Sequence, residues 1–349
     1  MADIINTDNG SVAAGKANER LGTNIGVGDS GSTWAAKVNA FGAAVTSADS
    51  GSQFASKVNA ASPSGTSLRV MTLNVGHYAD GNAPSPSFNA ETYAAYVAKF
   101  TAFIQAIDAD IICVQEYSAN VYQQNAAKDV LFGDYPYSQI GTISGYLGNA
   151  IFSKVPFDFI KQQAFSRANV GGRYYQLIEL SVGGKTIGLI NAHLDTTGGG
   201  NNYRNSQFGE IVDALKGYDY AIFGSDSNVA RLQDDGIGGG QWEVINYWVN
   251  GGTYSVGNYP TLDCGAGYGG GEFTLANKVN GNYIGTWPTT RWAASSANTS
   301  GYAAMSCPCD NIAVKGFGVA NPTKVDSLDV PVNDITDHCA FYCDLALIN

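Results

Sequence analysis

The chain has 349 residues, which at about 150 residues per domain allows two domains or one large domain with an appendage, and its 44% hydrophobic and 11% aromatic content excludes a disordered or collagen-like chain despite 43 glycines. Charged residues are only 14%, and 19 Lys+Arg against 30 Asp+Glu leave a net charge of −11, which excludes a basic scaffold that grips nucleic acid by charge alone. An acidic cleft can still meet a phosphodiester through a bound divalent cation, so the acidity points to metal dependence.

At the N-terminus, MADIINTDNG lacks the basic and apolar regions of a secretory signal. No run in the chain approaches the ~18 consecutive apolar residues of a membrane span. The expectation is a soluble chain without a signal peptide or transmembrane segment. The opening stretch is rich in Ala, Gly, Ser and Asn and repeats itself: DSGSTWAAKVNA at 29–40 recurs as DSGSQFASKVNA at 49–60, a period of 20 residues, with TDNGSVAAGKAN at 7–18 as a weaker copy. Ser32 and Ser52 read as helix N-caps, and Trp34, Val38, Phe41 and Val45 recur at helical spacing, a stripe that Phe54 and Val58 begin again. A repeat this short cannot bury a core alone. Residues 1–67, ending in the linker ASPSGTS, therefore read as a short helical N-terminal extension. It either attaches the chain to a protein partner or to a second copy, or folds back on the main domain.

From Leu68 onward strands and helices alternate, so residues 68–349 are expected to form a layered α/β domain. LRVMTLNV is apolar on both faces, as a central strand is. Residues 90–107 predict a helix carrying Tyr93, Val97, Phe100 and Ile104 on one face; 110–116 a buried strand; 118–131 a helix; and 148–153, 174–181 and 186–192 strands. Helix follows at 204–216, strand at 219–225, helix at 241–250, and strands at 310–315 and 339–347, with long loops expected through the Gly- and aromatic-rich stretch 251–305. The cysteines Cys113, Cys264, Cys307, Cys309, Cys339 and Cys343 are too scattered for a disulfide scaffold, and C-x-C with C-x3-C is not the usual zinc knuckle spacing. A disulfide or free thiols fit better, with Cys113 packed inside its strand.

Polar residues stand repeatedly at the ends of the buried strands. Asn74 ends the first, Glu116 follows DIICVQ, His193 ends GLINAH, Asp226 and Asn228 follow AIFGS, Asp310 begins DNIAV, and Asp337-His338 precedes the last strand. Singly, each has a bland reading as an Asx-turn or a solvated carboxylate. Together the strings RVMTLNV, DIICVQE, GNAIFSKVPF, INAHLD, GSDSN, CDNIAV and ITDH, in that order across 68–347, resemble the endonuclease/exonuclease/phosphatase superfamily of metal-dependent phosphodiesterases and phosphatases. The resemblance implies a deoxyribonuclease I-like α/β sandwich, two packed mixed sheets flanked by helices.

It also implies roles. Glu116, with Asn74 and Asp337, would hold Mg²⁺ (or Mn²⁺ or Ca²⁺), hard cations that take oxygen ligands. His338 would activate water, Asp310 would orient that imidazole, and Asp226 with Asn228 would position the nucleophile and the phosphate. His193 would protonate the leaving group or hold a phosphoryl oxygen, and Arg173, in GGRYYQLIEL, matches a phosphate-contacting arginine. Two of the chain's three histidines thus fall on catalytic positions of the superfamily, while His77 is read as a loop residue near the cleft. There are departures. The usual G-D-x-N appears here with Ser225 inserted between Gly224 and Asp226. No acidic residue occurs between Asp134 and Asp158 to support His193, which leaves Asp195 as its candidate partner.

AMSCPCDNIAVKG is closer to deoxyribonuclease than to lipid-cleaving members, so the favoured reading is an endonuclease acting on DNA. A phospholipid or inositol-phosphate phosphodiesterase or phosphatase is the alternative, with Trp242, Trp248, Trp287 and Trp292 as membrane-interface candidates. A third reading, from composition and the repeat alone, is a virion-associated or extracellular structural protein carrying the domain as decoration.

Overall fold

The computed structural model of the chain describes residues 67–75, 98, 101–117, 132–141, 148–166, 168, 172–195, 201–228, 253–254, 262–263, 273–279, 282–287, 308–326 and 338–348. The repeats, the expected helices at 118–131 and 241–250, and His77, Asp337, Cys264, Cys307, Trp242, Trp248 and Trp292 lie outside the described residues.

Strands β1 (Ser67–Asn74), β2 (Ile111–Gln115), β3 (Tyr137–Ile140), β4 (Asn149–Ser153), β15 (Phe317–Val325) and β16 (Ala340–Leu347) form one six-stranded sheet in the order β15-β16-β1-β2-β4-β3. A second contains β5 (Phe157–Ala164), β6 (Tyr174–Val182), β7 (Lys185–His193), β8 (Tyr220–Asp226), β11 (Thr274–Leu275) and β14 (Asp310–Lys315), in the order β11-β14-β8-β7-β6-β5. Two-residue strands β9 (Thr253–Tyr254) with β10 (Leu262–Asp263), and β12 (Lys278–Val279) with β13 (Asn282–Tyr283), make small antiparallel pairs in the stretch expected to be loops. Both large sheets are mixed: β1 runs parallel to β2 and β7 parallel to β8, while β4 and β14 run antiparallel to their neighbours.

Period-two alternation assigns each strand's side chains to two faces. On the outer face of the first sheet, Met71, Leu73, Ile112, Val114 and Phe152 form a core cluster with Phe103, Ile104 and Ile107 of the helical segment α1 (101–107). On the outer face of the second, Ile190, Ala192, Ala221 and Phe223 pack with Phe208, Ile211, Val212 and Leu215 of α2 (Asn201–Leu215). Those four recur on a single helical stripe, and burying each stabilises by roughly 1.5–3 kcal/mol before cavity effects. The intervening residues, Thr72, Asn74, Cys113, Gln115, Asn191, His193, Gly224 and Asp226, therefore face inward, where the sheets meet. Contact there is close: a Cβ added to Gly224 of β8 would lie 2.7 Å from Sγ of Cys113 on β2. This is the two-sheet, helix-flanked sandwich expected from the sequence.

Three strands escape a sequence reading. β3, β5 and β15 are the outermost strands of their sheets, apart from the short β11, and half or more of their residues are exposed or half-buried. They lack the unbroken apolar runs that mark the central strands. Cys113, Cys309, Cys339 and Cys343 are buried free thiols.

Candidate active site

Side chains from both sheets meet at one end of the inner seam. In the second sheet the register sets His193 of β7 opposite Asp226 of β8, and Asp226 opposite Asp310 of β14, so three strand termini align in one row. In the first, Asn74 ends β1 opposite Gln115, and Glu116 follows directly with φ of +55°, a left-handed turn of the backbone that ends the strand there. Asn228 has φ of +52° and caps the β8 terminus, its amide N donating to Asp226 Oδ1 at 2.8 Å and its Nδ2 to the Leu194 carbonyl at 2.8 Å.

The groups interlock. Asn74 Nδ2 donates to Asp226 Oδ2 at 2.8 Å and to Glu116 Oε1 at 3.3 Å. His193 Nε2 lies 3.3 Å from Asp226 Oδ2 and 3.9 Å from Glu116 Oε1. His338 Nδ1 lies 2.9 Å from Asp310 Oδ2, while its Nε2 is 3.8 Å from Asp226 Oδ2. Asp226 is thus the hub between the two imidazoles. Thr286 Oγ1 accepts a hydrogen bond from the backbone N–H of Asp310 at 2.9 Å, and the Trp287 ring stands 6.5 Å, centroid to centroid, from His338.

Electrostatics follow from burial. Asp310 is fully buried, and desolvation pushes its carboxyl up to about 6 against the opposing pull of His338. Arg173, 5% exposed, loses proton affinity by the same desolvation, while Asp226, Glu116 and Asp195 hold the charge in place. Nε and Nη1 of Arg173 and Oδ1 of Asp310 are buried without a hydrogen-bond partner, a costly arrangement in a site complete in itself. Buried carboxylates of Glu116, Asp226 and Asp310 crowd together with the oxygens a hard divalent cation takes, and the group whose ligand atoms lie within 4.8 Å of one another, Asp226, Asp310 and His338, differs from the expected Glu116, Asn74 and Asp337. The hydrogen bond between His338 and Asp310 occupies Nδ1 and Oδ2 of that pair, while Oδ1 of Asp310 is the carboxylate oxygen left without a hydrogen bond.

Residues 71–188 match the Endonuclease/Exonuclease/phosphatase family. That match spans 118 of the 349 residues, a likeness of this segment to the family. Among curated proteins none matches it in sequence. Several solved structures share its fold. D. rerio TDP2 complexed with single strand DNA product is 17% identical, with 80% of this chain and 98% of that chain covered and a TM-score of 0.55. The catalytic domain of human Nocturnin with bound sulfate is 16% identical over 81% of this chain and 94% of that one, at a TM-score of 0.54. An endonuclease/exonuclease/phosphatase protein from Bacteroides vulgatus is 16% identical over 81% of this chain and all of its own, also at 0.54.

Within the superfamily frame, six sequence-expected residues (Asn74, Glu116, His193, Asp226, Asp310 and His338) come together directly, and Asn228 and Arg173 border them. Asp337 lies outside the described residues. Asp226 and Glu116 place carboxylate oxygens 3.3 and 3.9 Å from His193 Nε2, and Asp195 accepts from Gln207 Nε2 at 3.0 Å. Ser225 causes no bulge. It is paired opposite Ala192 and Asn311, so the extra residue lengthens β8 by one position and leaves Asp226 at its end. The sequence gives no sign of Thr286, because the stretch around it carries no strand periodicity, and Trp287, read as a membrane-interface candidate, stands beside His338.

Proposed function

We propose that this protein is a divalent-metal-dependent phosphodiesterase acting on DNA as an endonuclease. The observation that carries the reading is the Asp310–His338 pair set beside Asp226, Glu116 and Asn74, from two different sheets, in a buried acidic pocket. A charge cluster this desolvated is destabilising on its own, so a purely structural role gives no reason for it.

Glu116 and Asn74, with Asp337, would hold Mg²⁺, Mn²⁺ or Ca²⁺, which when bound neutralises charge on the phosphoryl oxygens. Nδ1 of His338, held by Asp310 Oδ2, carries the proton, so Nε2 is the lone pair that accepts one from the attacking water. Asp226, 3.8 Å from that Nε2, orients the water, and Asn228 holds the Asp226 carboxylate. His193 sits on the opposite side of Asp226 and donates a proton to the leaving oxygen or to a phosphoryl oxygen. The buried guanidinium of Arg173, with Nε and Nη1 unfilled, is the phosphate contact.

DNA is favoured over lipid because a structure sharing this fold was solved with single strand DNA product. No helix among the described residues is long and apolar enough to cross a membrane. Residues 1–67 would form the attachment segment, on a virion or another extracellular surface, with 68–349 as the catalytic unit; sedimentation of the full chain against 68–349 tests this.

The test of function is hydrolysis of supercoiled plasmid, sphingomyelin and bis-p-nitrophenyl phosphate with Mg²⁺, Mn²⁺, Ca²⁺ or EDTA. Nicking of plasmid that EDTA abolishes and that His338→Ala lowers roughly 10²–10⁴-fold is expected. Cleavage of sphingomyelin without plasmid nicking moves the substrate to phospholipids. Inactivity on all three overturns the enzymatic reading in favour of a structural one.

A further inference from the structure

The reacting groups belong to two sheets that no disulfide joins among the described residues. Asn74 and Glu116 come from the first, and His193, Asp226 and Asp310 from the second. Their mutual distances therefore depend on how one sheet is seated on the other. An apolar seam would hold the sheets together but tolerates sliding, because hydrophobic attraction has no direction. The seam beneath this pocket is polar.

Thr72 lies two residues before Asn74, Gln115 one before Glu116, and Asn191 two before His193. Residues two apart on a strand share a face, so Thr72 and Asn191 form a row about 6–7 Å below the reacting row. Gln115, which the register sets level with Asn74, reaches back with its side chain to meet both. All three are fully buried. Gln115 Nε2 donates across the seam to Asn191 Oδ1 at 2.8 Å and within its own sheet to Thr72 Oγ1 at 3.1 Å. Asn191 Nδ2 donates back across to the carbonyls of Val114 at 3.0 Å and Ala150 at 2.9 Å, two residues paired directly opposite each other in β2 and β4. A second crossing lies alongside, where Asn149 Nδ2 donates to the Tyr174 carbonyl at 3.1 Å and the Tyr174 hydroxyl accepts from the Asn149 backbone N–H at 2.8 Å. Every bond of this layer has a fixed direction, and a slip of one sheet would leave several buried polar atoms unmet.

We propose that Gln115 and Asn191, braced by Thr72, are positioning residues: a hydrogen-bonded clamp between the sheets that sets Glu116 and Asn74 against His193 and Asp226. The proposal rests on the phosphodiesterase reading of the pocket. It goes beyond that reading because none of the three touches the reacting groups or has a proton to exchange in the reaction. Replacing both partners of a buried hydrogen bond by apolar groups of similar size leaves stability nearly unchanged, whereas displacing reacting groups by about 1 Å can cost ~10²-fold in rate. Stability and turnover therefore separate in the right variant.

The test is Gln115→Met/Asn191→Leu in the full chain, with Leu215→Ala under α2 as a control that lowers stability away from the pocket. Expected is a folded variant whose Tm falls no further than that of the control, the carbonyls of Val114 and Ala150 having lost their Asn191 donor, with a kcat on bis-p-nitrophenyl phosphate lower by roughly 10- to 100-fold and little change in KM, while the control keeps its kcat. The imidazole ¹⁵N shifts of His193 at fixed pH are expected to move in the double variant and stay put in the control, a readout independent of turnover. Wild-type kcat together with unmoved His193 shifts in the folded double variant overturns the clamp. A loss of kcat that the control shares equally overturns it too. If the wild type hydrolyses nothing, the phosphodiesterase reading fails while the His193 shifts still decide the clamp. Should the double variant not fold, Gln115→Met alone, which leaves the Asn191 donors to Val114 and Ala150 in place, is expected to show the same pattern in smaller measure.

Discussion

Asp310 illustrates how one residue can serve chemistry at the expense of the fold. Its carboxyl, pushed up to about 6 by complete burial, must be ionised to hold the proton of His338 Nδ1. Activity on the acid side is thus expected to fall as pH drops through about 6, read as kcat/KM on a soluble diester, with the limb belonging to the Asp310–His338 pair as a unit. Asp310→Asn removes that limb and lowers the plateau. The stability sign is opposite. A carboxyl whose folded value is raised favours folding at pH below its unfolded value of about 3.9, and that contribution is lost as pH rises through the folded value. Asp110, also raised to about 6 by burial, acts in the same sense far from the pocket, under the backbone N–H of Arg69. Denaturant midpoints across this pH window will show stability declining while activity rises.

At the scale of the elements, the approach of β2 and β8 is set by a glycine. With a Cβ at 224 only 2.7 Å from Cys113 Sγ and 3.0 Å from its Cβ, Gly224→Ala forces the two sheets apart where the clamp lies. Overpacking of this kind costs about 1–3 kcal/mol, measurable as a lower denaturant midpoint, and kcat is expected to fall with it. Cys113→Ala in the same chain removes the Sγ contact while keeping the Cβ at 3.0 Å, and should recover part of both. The thiol itself is inert, since burial pushes it up to about 12. Strand ends matter equally: the parallel pairs β1/β2 and β7/β8 end at the same side of the sandwich, and β14, antiparallel to β8, begins there. That common edge collects residues far apart in the chain.

Across the whole molecule, −11 of net charge and a pocket of buried carboxylates make the folded state short of positive charge where it is needed. Binding of a divalent cation to the native state alone raises stability by about 2.7 kcal/mol at a hundredfold excess over Kd. A Tm that rises with Mg²⁺ or Mn²⁺ and returns on adding EDTA is expected, and the rise should shrink in Glu116→Ala. An unchanged Tm across millimolar metal would remove Glu116 from the proposed site. The same charge predicts that plasmid binding without divalent metal is weak.

The sequence by itself determined the central elements and singled out the polar strand-end residues that the fold brings together. Strands buried on both faces, such as LRVMTLN and YAIFGSD, read as unbroken apolar runs, and polar residues at their ends stand out against that background. Edge strands such as FDFIKQQA carry no such contrast, since their solvent-facing side chains obey no burial pattern. Which strand end faces which was decided only by the tertiary structure. Asp226 became the partner of His193 because β7 and β8 pair in parallel with those residues in register, a relation spanning 33 positions that no local spacing encodes. Gln115 and Asn191 were present in strings legible from the start, yet their hydrogen bond exists only once two separately formed sheets are stacked. Local periodicity records what each strand buries, while the meeting of two sheets is a property of pairs of strands.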